Sequence, residues 1–269
     1  MHNTEKRNER TMHIDRSSTS EMIALLHNEN YNAVRAIDAA LPAIERAVDM
    51  VAERIAKGGR LIYMGAGTSG RLGVIDAAEC PPTYGVPADT VVGIIAGGMD
   101  RMYSASEGAE DSGDNGIADL KSKNLTEFDT VMGISAAGNA AYVADALEYA
   151  RSIGLLTIGL TCNYESRLAT EPDVSIVTET GAEAITGSTR MKAGTAHKMV
   201  LTMLSTAVMV KLGHVYENMM INLKPSNIKL RRRVISIVCE ILKCNEERAV
   251  ELLEANEWVI RRAVDAANK

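Results

Sequence analysis

Between residues 32 and 57 apolar side chains recur every three or four positions, at Val34, Ile37, Leu41, Ile44, Val48, Val51 and Ile55. That period gathers them on one face of a helix. Pro42 kinks or divides the helix, and Gly58-Gly59 closes it. Upstream, Ser18-x-x-Glu21 has capping-box spacing ahead of Met22-Ile23-Ala24-Leu25-Leu26, which predicts a short helix there. The polar residues up to about Arg16 read as an irregular arm. From Arg60 the pattern changes. Short apolar runs at 61–64, 91–95, 131–134, 155–160 and 174–177 alternate with helical patterns at 71–78, 116–123 and 140–152. Such alternation predicts an α/β fold, a parallel sheet covered by helices on both faces. The rest reads as helix: a long apolar one over 189–212, then 228–242, 246–255 and 257–267. The expected organisation is an N-terminal arm and helices (1–50), a central α/β domain (51–215) and a small C-terminal helical unit (216–269).

In a parallel sheet of this kind ligands bind beyond the carboxyl ends of the strands. Each predicted strand here ends in small or polar residues. The most informative end is Gly65-Ala66-Gly67-Thr68-Ser69-Gly70-Arg71-Leu72-Gly73. A glycine-rich turn entering a helix offers backbone N–H groups and the positive end of a dipole to an anion. Thr68 and Ser69 add hydroxyl donors. The same glycines match a dinucleotide fingerprint, but that motif needs an acidic residue at the end of the second strand to hold the ribose. The second strand ends Ile95-Ala96-Gly97-Gly98, with Asp89 before it and Asp100 beyond the turn. The lysine of a phosphate-binding P-loop is also missing. A sugar phosphate suits the loop better.

Two acidic segments flank these strand ends. Glu79 precedes Cys80-Pro81-Pro82, where the prolines are expected to end a helix. A carboxylate at the negative end of a helix dipole suits a general acid. Glu107, Glu110 and Asp111 crowd into five positions, and their mutual repulsion makes one of them a candidate base. The spacing alone does not choose among the three.

A net charge of −6 argues against a nucleic-acid partner, and Arg231-Arg232-Arg233 reads as a solvated helix face. Cys80, Cys162, Cys239 and Cys244 form no C-x-x-C pair and no ladder with histidine, so reduced thiols and a cytoplasmic location are expected, with no metal. The polar N-terminus is no secretory signal, and the apolar stretch 199–210 is too short to span a membrane.

Four motifs in order resemble the N-acetylmuramic acid 6-phosphate etherases, bacterial sugar-isomerase (SIS) domain enzymes of cell-wall recycling. They are the glycine loop, Glu79-Cys80-Pro81-Pro82-Thr83-Tyr84-Gly85, Glu107-Gly108-Ala109-Glu110-Asp111-Ser112, and Gly187-Ser188-Thr189-Arg190-Met191-Lys192-Ala193-Gly194-Thr195. The arm residues Thr4-Glu5-x-Arg7-Asn8 and Ile14-Asp15 also match the family's opening. The resemblance implies a flavodoxin-like three-layer αβα sandwich on a five-stranded parallel sheet. It implies a cofactor-free elimination that releases D-lactate from C3 of the sugar, with Glu110 as base at C2 and Glu79 as acid at the departing ether oxygen. It also implies a sugar 6-phosphate held by Gly67, Thr68, Ser69, Gly70, Ser135, Gly138, Asn139, Ser188, Thr189 and Lys192. It further implies a homodimer with its sites near the subunit interface. The third rim departs from the family's usual Ser-Gly-Arg/Asn-Thr-Pro and reads Ala137-Gly138-Asn139-Ala140-Ala141, losing two hydroxyls; His197 replaces a common glutamine, and the C-terminal unit is short. A non-catalytic sugar-phosphate sensor and an aldose–ketose isomerase are the competing readings.

Overall fold

The computed structural model describes residues 3–104, 108–222, 225 and 228–267. Helices α1 (Thr19–Asp38) and α2 (Leu41–Ala56) precede strand β1 (Leu61–Gly65). Helix α3 (Gly67–Tyr84), β2 (Val91–Ile95), α4 (Gly113–Lys121), β3 (Thr130–Ile134), α5 (Ala141–Ser152), β4 (Leu156–Thr161), the short α6 (Arg167–Thr170) and β5 (Val174–Val177) follow in alternation. The long α7 (Lys192–Lys211) comes next. A two-stranded hairpin, β6 (Val215–Tyr216) and β7 (Met219–Met220), then leads to α8 (Ile228–Leu242), α9 (Glu246–Ala255) and α10 (Ile260–Ala267). The main sheet is parallel with order β2-β1-β3-β4-β5, and the expected five-stranded α/β sandwich is present.

Alternation along the strands builds two cores. Leu61 and Tyr63 of β1 join Met132, Ile134, Ile158 and Leu160 under α2 and α7. Ile62 and Met64 point to the other face, under α4 and α5, with Val131, Tyr142 and Leu147. Residue 50, the expected boundary of the first unit, falls within α2, whose Ile44, Val48 and Val51 belong to the main core. A third cluster, around Val234, Val238, Leu253 and Ala263, closes the C-terminal helices on themselves. No helix among the described residues is long and apolar enough to cross a membrane.

Four boundaries differ from the pattern-based reading. The helix starting at the Ser18–Glu21 capping box is not short; it runs unbroken to Asp38, and the break falls at 39–40, with Pro42 inside the first turn of α2. There the missing proline N–H would have had no partner in the helix. Helix α3 begins at Gly67 rather than near Arg71, so the glycine loop is its first turn. Pro81 and Pro82 do not end it; it continues to Tyr84 and stops at left-handed Gly85, whose N–H bonds to the Pro81 carbonyl. The arm is not irregular. It makes three 3-10 turns, Asn3–Glu5, Glu9–Thr11 and Ile14–Arg16, and buries Thr4, Asn8 and Thr11 against the 160–184 region.

Candidate functional site

The strand order reverses between β1 and β3, which makes the gap between their carboxyl ends the crevice of the fold. A cavity of about 320 Å³ sits there, at the small end of the usual range for ligand pockets. It is built from five pieces of chain: the start of α3, the turn after β3, the approach to α7, the turn holding Glu110, and the arm through Glu5.

The glycines divide the labour at the α3 start. A side chain on Gly70 would meet the Gly65 carbonyl at 2.4 Å, and one on Gly65 would meet the Gly70 nitrogen at 2.6 Å, so this pair lets helix and strand touch. Gly67 instead takes φ +52° with open space around it, turning the chain into the helix. Ala66 precedes the helix with no side-chain cap, so the first-turn N–H groups receive none from it. Gly67, Thr68 and Ser69 line the cavity there.

The start of α7 is different. Glu183 is buried and accepts from the Lys192 and Ala193 N–H groups at 3.0 and 2.9 Å, so this helix start is already occupied by a carboxylate. Burial pushes the Glu183 carboxyl up from its ordinary value, against those two N–H bonds. The Lys192 side chain turns away from the cavity, with its Nζ 2.5 Å from Glu29 Oε2 and 2.6 Å from the Ala182 carbonyl. Glu29 also receives Arg10 Nε at 2.5 Å and Asn8 Nδ2 at 2.9 Å. Burial alone would raise the Glu29 carboxyl, but the Arg10 and Lys192 hydrogen bonds and the Lys192 charge outweigh it and hold it down at about 2. Of the two helix starts at this cavity, that of α3 is therefore the one left for an anion.

His197 lines the cavity floor and is fully buried, its Nε2 3.4 Å from Cys162 Sγ. Burial lowers the imidazole to about 4, although a bond to the Thr161 backbone pulls the other way, so His197 is neutral at pH 7. Among the described residues lining the cavity there is no Lys or Arg. An anion here is met by backbone N–H groups, the Thr68, Ser69, Ser135 and Thr189 hydroxyls and a helix dipole. Among the described residues the acids on its wall are Glu110 and Glu5.

Of the sequence-predicted residues, Gly67, Thr68, Ser69, Ser135, Thr189 and Glu110 come together at this cavity. Gly70, Gly138, Asn139, Ser188, Lys192 and Glu79 do not line it. Gly138, at φ +79°, donates its N–H to Ser135 Oγ at 3.0 Å and so orients that hydroxyl; Asn139 Oδ1 accepts the Arg167 N–H at 2.9 Å. Glu79 is exposed on α3, ten residues beyond Ser69 and hence roughly 15 Å further along the helix axis. Glu107 lies outside the described residues, while Asp111 is exposed and absent from the lining. Two ionisable lining residues had not been assigned to the site from sequence. Glu5 carried one signal, its place in a motif with Asn8; His197 carried none beyond its departure from glutamine.

Residues 43–151 match the model of the glucokinase regulatory protein N-terminal SIS domain, and residues 106–209 match that of the SIS domain. The chain is 51% identical over 97% of its length to N-acetylmuramic acid 6-phosphate etherase of Clostridium beijerinckii, covering 86% of that protein. It is 49% identical, with the same coverage, to the enzyme of that name from Bacillus subtilis. Among solved structures, the phosphoheptose isomerase of Neisseria gonorrhoeae shares the fold, with a TM-score of 0.54 over 71% of this chain and 99% of that one, at 16% identity.

Proposed function

The chain belongs to the N-acetylmuramic acid 6-phosphate etherase family, and from that premise we propose that it cleaves the D-lactyl ether of N-acetylmuramic acid 6-phosphate, giving N-acetylglucosamine 6-phosphate and D-lactate. The observation that carries this reading is the polarity of the cavity. Its lining combines the open start of α3 and two hydroxyls with the carboxylates of Glu110 and Glu5. A phosphate dianion is repelled by the carboxylates and attracted to the helix start. The sugar ring then extends toward Glu110.

With the sugar in its open-chain form, the C2 proton is acidified by the C1 aldehyde. Glu110 removes it, the C3–O bond breaks, and the departing ether oxygen takes a proton to leave as D-lactate. Water adds at C3 of the unsaturated aldehyde and a proton returns to C2. Two carboxylates are enough for these transfers. We assign the acid role to Glu79 on the motif it shares with the family. Its distance from Ser69 within one chain favours supply by a second copy, in a homodimer whose sites form at the subunit boundary. The unpaired thiols Cys80, Cys162, Cys239 and Cys244 fit a cytoplasmic setting.

The test is direct. Pure protein incubated with N-acetylmuramic acid 6-phosphate is expected to release D-lactate and form the sugar phosphate product in equal amounts. Absence of lactate at high enzyme concentration, with the substrate shown to bind, overturns the catalytic reading in favour of a sensor. Interconversion of aldose and ketose 6-phosphates without lactate overturns it in favour of an isomerase.

A further inference from the structure

We propose that the N-terminal arm is a wall of the sugar site and that Glu5 is a substrate-binding residue, its carboxylate accepting hydrogen bonds from neutral donors of the sugar, a ring hydroxyl or the acetamido N–H. This rests on the reading of the cavity as a sugar-phosphate site and adds to it a residue from outside the α/β domain.

Three observations meet at Glu5. First, it lines the cavity beside Gly187; a side chain added to that glycine would lie 3.2 Å from Glu5 Oε2. Second, the turn that presents it is anchored on both sides. The Asn3 N–H donates to Asn163 Oδ1 at 3.1 Å, and Asn3 Nδ2 donates to Glu179 Oε1 at 2.5 Å. Thr4 is fully buried, and Asn8 Nδ2 donates to the Ala182 carbonyl at 3.0 Å. Third, among the described residues no hydrogen bond or ion pair engages the Glu5 carboxylate, whereas the neighbouring Glu29 and Glu183 are both fully engaged. A half-buried carboxylate on an anchored turn, with acceptor capacity free and a cavity in front of it, is placed for a ligand rather than for the fold.

Charge decides what that ligand group is. Among the described residues no cation lines the cavity beside it, so a second anion would meet Glu5 unscreened. The 6-phosphate and the lactyl carboxylate are both excluded from this wall, and the sugar's neutral donors remain. Glu5 thereby sets the orientation of the ring as well as its affinity: phosphate at α3, hydroxyl or amide edge at the arm, lactyl carboxylate toward the mouth.

Glu5→Ala and Glu5→Gln are to be compared with the wild type in the full chain. For Glu5→Ala, KM for N-acetylmuramic acid 6-phosphate is expected to rise about 10- to 100-fold with kcat held within about threefold, as for loss of a charged hydrogen bond made equally in ground and transition states. Glu5→Gln, which keeps a carbonyl acceptor, should fall between. Calorimetric Kd for N-acetylglucosamine 6-phosphate should weaken by the same factor, while that for inorganic phosphate stays level or tightens, because a nearby negative charge is gone. Thermal midpoints should match the wild type. If the variant weakens phosphate and sugar phosphate alike with a lowered Tm, Glu5 serves the fold and the proposal fails. If wild type and variant bind the sugar phosphate equally, the proposal fails while the site reading stands. If the wild type itself binds no sugar phosphate, the site reading fails and takes this inference with it.

Discussion

Glu110 stands on a three-residue turn, Ala109–Asp111, opened by left-handed Gly108, and this turn rather than a helix or strand carries it to the cavity wall. Replacing it by Gln keeps its size and removes its basicity. We expect Glu110→Gln to abolish exchange of the C2 proton with solvent and to slow lactate release by about 10²- to 10⁴-fold, with binding of N-acetylglucosamine 6-phosphate retained. Exchange that persists, read by proton resonance in D₂O, would put the base elsewhere. His197 raises a different question at the same scale. Its buried imidazole titrates near 4 rather than at its ordinary 6.5, so it is not a general acid or base at neutral pH. The unfolded chain binds the proton first as pH falls. The stability that neutral His197 contributes is therefore complete above pH 6.5 and is lost as pH drops from 6.5 toward 4, about 3 kcal/mol in all. His197→Gln should flatten this part of the stability–pH curve in denaturant titrations. A pH profile of lactate release that keeps its shape in the variant is the matching kinetic expectation.

Elements are held at this site by contacts that single side chains supply at long range. Gly70 lets α3 lie on the end of β1; in Gly70→Ala the new methyl would sit 2.4 Å from the Gly65 carbonyl and 2.7 Å from Ile95. The helix start must then shift outward. The expected loss is about 1–3 kcal/mol of stability, measured by denaturant unfolding, together with weakened sugar-phosphate binding because Thr68 and Ser69 move with it. The Lys192–Glu29 pair ties α7 to α1, and Arg10 and Asn8 add the arm to the same carboxylate. Lys192→Met leaves the buried Glu29 charge with an exposed arginine as its remaining ionic partner and should cost about 3–5 kcal/mol. Because Glu29 is held at about 2, below its unfolded value, its contribution is complete above about pH 4.5 and disappears as pH falls toward 2; Lys192→Met should remove much of that acid dependence. The reach of such contacts explains what could be read from sequence. Each strand lies within one residue of its expected position, because strands covered on both faces are plain apolar runs bounded by turn residues. The start of α7 falls three residues later than expected, at Lys192, since its cap is Glu183 rather than a neighbouring hydroxyl. The same carboxylate wall and cap explain the site. Thr68, Ser69 and Ser135 sit at predicted strand ends and were legible from the pattern, whereas Glu110 was separated from Glu107 and Asp111 only by the family resemblance. Lys192 carried the right motif but faces Glu29, and Glu5 reaches the cavity only through the docking of an arm whose own sequence reads as irregular.

At the scale of the whole molecule the proposed chemistry asks for two carboxylates at one sugar, and the fold puts Glu110 at the cavity and Glu79 roughly 15 Å beyond Ser69 along α3. Glu5 is not assigned the acid role, because the motif shared with the family gives that role to Glu79. In a two-fold dimer each subunit receives whatever its partner receives, so one Glu79 delivered across the boundary means two complete sites, each drawing its base from one chain and its acid from the other. That arrangement has a signature that a single-chain site lacks. Glu79→Gln and Glu110→Gln are each expected to be inactive alone. When the two are denatured, mixed in equal amounts and refolded, random pairing makes about half of the dimers mixed, and each mixed dimer has one site with both carboxylates and one with neither. Lactate release should then return to about a quarter of the wild-type rate. If both residues serve the same chain's site, every site in the mixed dimer lacks one carboxylate and the mixture stays as inactive as its components. The recovered fraction therefore reports which chain supplies Glu79, and it does so without disturbing the cavity geometry on which the reading depends.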